Sequence, residues 1–123
     1  MNIWKNYITA GNEHFAQSNF ESARALYEAA SQEAEVLFNS WREPHEAVSA
    51  LVVSYHNMAD LYQSQGDSDM ARSILEKIHK FLLRSVASTP VEDRRHSALY
   101  RGSIETYSAL LVHKRCHILC KPH

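Results

Sequence analysis

The run HNMADLYQSQGDSDMARSILEKI, His56 to Ile78, repeats the beat of TAGNEHFAQSNFESARALYEAA, Thr9 to Ala30. Each copy holds an apolar helical run, a polar break, and a second helical run carrying small residues. The copies stand 48 residues apart, with Gly11 answered by Ala59, Ala23 by Ala71, Tyr27 by Leu75 and Ala30 by Ile78. A helix–turn–helix unit repeated at a fixed period buries its apolar stripe by stacking on its neighbour. The repeat therefore constrains the chain to an all-α stack of hairpins.

The periodicity between the copies agrees. Trp4, Tyr7, Ile8, Gly11 and Phe15 recur at three and four residues, as on one face of a helix. A second stripe runs from Phe20 through Tyr27 and Ala34 to Trp41, and a third from Val48 to Tyr62 with Pro44 in its first turn. Gly66 is expected to close the third helix and Asp67 to cap the fourth, which carries Met70, Ile74, Leu75, Ile78 and Leu82. Thr89, Pro90 and Glu92 read as a capping box opening a last helix with Leu99, Ile104, Tyr107 and Leu111. No segment sustains a period of two. The expectation is one domain over residues 1–123 with about five antiparallel helices. Its parts are a first hairpin at 1–40, a second at 44–87 and a capping helix at 90–119.

These residues resemble the tetratricopeptide repeat (TPR) family. The first copy supplies Tyr7, Ala10, Gly11, Phe20, Ala23, Tyr27 and Ala30; the second supplies Tyr55, Met58, Ala59, Tyr62, Gly66, Ala71, Leu75 and Ile78. His14 stands where the family has a first-helix Tyr, and Ser18 where it has the turn Gly. The 48-residue spacing exceeds the family's period of about 34. The excess falls in residues 31–46 and is read as about three further turns of the second helix, or a kink before Pro44.

The resemblance implies a concave face built from the first helix of each pair, with a peptide or protein segment lying in it. The matching groove positions are Lys5, Ile8, Asn12, Phe15, Val53, His56, Asn57, Asp60 and Gln63. Asn12 and Asn57 stand at the asparagine positions of the family's carboxylate clamp. Ile8 replaces a clamp lysine, Arg101 is a poor substitute for the others, and Asp60 is close by. A buried carboxylate needs charge-assisted donors, so a mixed apolar and polar groove is expected instead.

The tail adds a separate feature. His113, Cys116, His117 and Cys120 are spaced by three and four on one helical stripe, and His123 follows. Imidazole and thiolate at such spacing suit Zn²⁺ or Cu⁺. The competing reading is two small buried cysteines beside surface histidines.

Thirteen basic residues nearly balance fourteen acidic ones, so nucleic acid and anionic membranes are not expected partners. No apolar run approaches a membrane span, no basic n-region precedes an apolar core, and two cysteines close together, Cys116 and Cys120, suit a reducing cytoplasm. No phosphate loop, nucleophile elbow or metalloprotease helix is present, so no enzyme is expected. The reading is a cytoplasmic interaction adaptor or small chaperone-like scaffold without a cofactor. Homodimerisation is a further expectation, because Trp4, Phe38 and Trp41 exceed what two repeats readily bury. The alternative function is a metal-binding or redox-responsive regulator using the tail.

Overall fold

The computed structural model describes residues 2–40 and 43–120, with side chains described through Lys114. Five helices follow one another: α1 (Asn2–Ala16), α2 (Phe20–Ser40), α3 (Pro44–Ser64), α4 (Ser68–Ser88) and α5 (Arg95–Cys120). There is no strand among the described residues. Each helix packs on the next; α3 also lies along α5, and α1 touches α3. The all-α, repeat-like architecture read from the sequence is the one observed.

The turns show why the hairpins close where they do. Gly66 has φ +82°, and Ser18, 48 residues earlier, has φ +62°. At the second turn Asp67 N–H donates to Tyr62 O at 2.9 Å and Gly66 N–H to Gln63 O at 3.0 Å. At the first, Asn19 N–H donates to His14 O at 2.8 Å and Ser18 N–H to Phe15 O at 3.0 Å. Both are the same helix-ending motif, whose left-handed residue satisfies the last free carbonyls. Asp67 then caps α4 by accepting from Met70 N–H at 3.1 Å.

Glycine takes this conformation freely, whereas a side chain there costs about 1–2 kcal/mol. Ser18→Gly should therefore stabilise the protein by about 0.5–1 kcal/mol in urea denaturation, a net gain after glycine's greater unfolded entropy. A loss of stability would mean that the turn depends on the serine side chain.

The 14 residues beyond a 34-residue period are shared between two helices. α2 runs unbroken to Ser40, and α3 starts at Pro44. The sequence reading placed the excess in residues 31–46, as a longer second helix or a kink before Pro44; α2 is the longer helix of its hairpin, and Pro44, buried in the first turn, opens α3.

The expected capping box at Thr89 is also corrected. Thr89 closes α4, its hydroxyl donating to Ser85 O at 2.7 Å. Residues 91–94 form turns, and α5 begins at Arg95 instead of residue 90. Asp93 organises that start. Its carboxylate accepts from Arg95 N–H at 2.9 Å and from the guanidinium at 2.6 Å. Side-chain bonds from Arg95 are the main cause that holds the Asp93 pKa down at about 2. Folding thus favours the ionised form, so its contribution is complete above the unfolded carboxylate value and lost as pH falls through the folded one. The stability difference between wild type and Asp93→Asn should be present at pH 7 and vanish between about pH 4 and about pH 2. A difference constant with pH would assign the effect to packing.

The core follows the small-residue seams. Ala34, Val48, Leu51, Ile78, Leu82 and Leu99 join α2, α3, α4 and α5 in one cluster. Ala23 and Tyr27 meet Leu61 at the first hairpin, and Ala59, Ala71 and Leu75 meet at the second. A Cβ on Gly11 would lie 2.6 Å from the Tyr27 ring, and one on Gly102 would lie 2.6 Å from Val48. Both glycines mark helix approaches closer than a side chain permits. Trp4 packs on the main cluster, and its indole N–H donates to Ser54 Oγ at 2.7 Å, tying α1 to α3. Phe38 is likewise half-buried, edge-on to Phe81 at 5.3 Å; Trp41 lies outside the described residues. Exposed apolar side chains occur on every helix, and on α5 Tyr100, Ile104, Tyr107 and Leu111 form an exposed stripe.

Candidate functional site

On α3, His56, Asp60 and Gln63 fall at i, i+4 and i+7, on a face that neither hairpin seam uses. They form one wall of a cavity of about 360 Å³ open to solvent. Ala109, Val112 and His113 of α5 form the other wall, and Ala59, Ala71 and Leu75 line the remainder. The cleft exists because α5 lies along α3, and its apolar lining is small because the α3–α4 seam requires small residues.

The electrostatics are uneven. Burial pushes the His56 imidazole pKa below its ordinary value, although Asp60 and then Glu105 act the other way. His56 Nε2 is buried without a hydrogen-bond partner. Burial raises the Asp60 carboxyl pKa, with His56 opposing it. Across α3, the Tyr27 hydroxyl donates to Asn12 Oδ1 at 2.6 Å. Burial, followed by the charge of Asp60, raises the Tyr27 pKa. A polar row thus crosses the face of the stack: Asn12 and Tyr27, then Asp60 and His56, then Glu105.

The other groove positions divide. Lys5 and Val53 are exposed, and Asn57 is half-buried. Ile8 packs against the Ala23–Tyr27–Leu61 cluster. Phe15 sits edge-on to Phe20 at 5.9 Å and 6.5 Å from Tyr27. Ile8 and Phe15, both half-buried, thus spend part of their surface on hairpin packing, where apolar contact replaces water. Asn12 is committed to Tyr27, a partner not foreseen.

The α5 wall, with Glu105 beside it, was missed from sequence. A signal existed, since Ala98-Leu99 follows Ala50-Leu51 by the same 48 residues and both pairs are buried. Aligned on it, α5 becomes the third first-helix.

Of the suspected metal ligands, His113 is half-buried and its Nε2 lies 3.3 Å from Ser68 Oγ. The side chains of Cys116, His117 and Cys120, and all of His123, lie outside the described residues. Among the described residues, no group of three or more His, Cys, Asp or Glu could hold a metal ion.

Two other cavities differ in chemistry. One of about 370 Å³ beside the start of α4 is lined by Arg72, Asp69 and Glu76. Its charges are matched within it, Arg72 lying 3.8 Å from Asp69 and 3.6 Å from Glu76. The other, about 250 Å³ between α2, α3 and α4, holds Glu35 and Lys77, with the Tyr55 hydroxyl donating to Glu35 at 3.4 Å. Of these three cavities, and among the described residues, the α3–α5 one brings an acidic charge with no lysine or arginine in its lining.

Fold and cleft together define an all-α stack of helical hairpins with a polar row along its first helices. The chain belongs to the family described as protein of unknown function (DUF2753), which matches residues 2–121. No curated protein matches the chain, and no solved structure does. No helix among the described residues is long and apolar enough to cross a membrane.

Proposed function

We propose that the protein is an interaction adaptor, cytoplasmic and chaperone-like, that holds a segment of a partner protein against α3 with one side chain lodged in the α3–α5 cavity. The observation carrying this reading is that His56, Asp60 and Gln63 converge on one solvent-open cavity with a small apolar lining. The resemblance to tetratricopeptide repeats supports it, since that family offers the same helices to its ligands. Burying one anchor in a pocket commonly supplies most of the binding energy of such a contact.

The test begins with a displayed library of random peptides selected on the intact protein. Synthetic versions of the selected peptides, acetylated and amidated, are then titrated calorimetrically. Replacing His56 and Asn57 together by alanine should weaken binding at least tenfold, about 1.4 kcal/mol. Lys77→Ala, in the cavity on the other face, should leave it unchanged. Peptides that bind the double variant as tightly as wild type would contradict the reading.

A further inference from the structure

We infer that the α3–α5 cavity selects a basic side chain, lysine or arginine, from the partner segment. The inference rests on the groove reading above and adds the chemistry of the anchor.

Two acidic groups attend the cavity from opposite walls. Asp60 stands at its mouth on α3, exposed but close to His56. Glu105 lies on α5, about one helical turn before Ala109 and near enough to favour a charge on His56. Among the described residues neither carboxylate lies in an ion pair, and the lining contains no lysine or arginine. The remaining titratable groups are histidines. His56 is the less able to carry the balancing charge because burial disfavours its imidazolium form. His113 is turned toward Ser68 on α4. The lining therefore carries the Asp60 carboxylate, with Glu105 beside it, and no lysine or arginine.

Its walls fit the rest of such a side chain. Ala59, Ala71, Leu75, Ala109 and Val112 are small or aliphatic. A lysine or arginine stem can lie against them while its head remains near the two carboxylates. A carboxylate, the ligand of the related clamp, would meet repulsion from both acidic groups. An apolar anchor would fill the walls and leave the field unanswered.

The selected peptides supply the test. Each peptide with a lysine anchor is compared with its norleucine counterpart, which keeps the stem and removes the charge. Arginine anchors are compared with citrulline. The charged member should bind at least tenfold tighter, and its advantage should shrink with added salt. Asp60→Asn and Glu105→Gln should each reduce the preference, and together bring it near one, without loss of helical content or thermal stability. Equal binding of charged and uncharged members, or selection of anchors without basic residues, would overturn the inference while leaving the groove reading intact. Selected peptides indifferent to the His56 and Asn57 replacements would overturn both.

Discussion

Tyr27→Ala should destabilise the protein by about 3–5 kcal/mol, measured by urea denaturation, the range for a buried aromatic. The ring is 2% exposed and fills the seam opposite Gly11. Its hydroxyl donates to Asn12, so truncation opens a cavity and also removes a hydrogen bond between α1 and α2. The seam makes a sharper claim about Gly11. With Tyr27 present, Gly11→Ala forces a Cβ to within 2.6 Å of the ring and should destabilise, because overpacking costs about 1–3 kcal/mol. That exceeds or offsets the advantage of alanine over glycine in a helix, about 1 kcal/mol. With Tyr27 already replaced by alanine, Gly11→Ala should become stabilising. Such a change of sign requires the two residues to touch. Additive effects would mean that α1 and α2 do not approach as described.

Leu82→Ala is the second large effect, about 2–5 kcal/mol. Leu82 is 0% exposed and belongs to the cluster joining α2, α3, α4 and α5. Its Cδ1 also lies 3.2 Å from the point where a Cβ on Gly102 would stand. Losing it removes part of the surface that fixes α5 beside α3. The neighbouring Leu83 is 48% exposed, and Leu83→Ala should change stability by no more than about 0.5 kcal/mol. Similar costs for the two variants would place α4 in a different rotation.

How much of this could be read from the residues is uneven, for physical reasons. The hairpins were legible because close helix packing demands small residues at fixed spacing, and Gly11, Ala23, Ala59 and Ala71 declare it. Gly66 declared its turn, and Ser18 was found only by comparison with it. The start of α5 was misread because Thr89, Pro90 and Glu92 satisfy the pattern of a helix opening. Thr89 instead bonds back to Ser85 and closes the helix before it. At the site, spacing along α3 located His56, Asp60 and Gln63. It carried no information about what faced them. The opposite wall depends on α5 lying parallel to α3, a long-range packing outcome. Ile8 and Phe15 were assigned to the groove by position in a repeat, which carried no information about their packing on the first hairpin's cluster.

The most direct test of the α3–α5 cavity as the binding site is a two-dimensional NMR titration of the intact protein with a library-selected peptide. The largest amide shifts are expected at His56, Asp60, Gln63, Glu105, Ala109 and Val112, with little change at Phe38, Lys77 and Phe81 on the other face. Shifts concentrated at those last three residues, with α3 and α5 silent around His56 and Ala109, would contradict it.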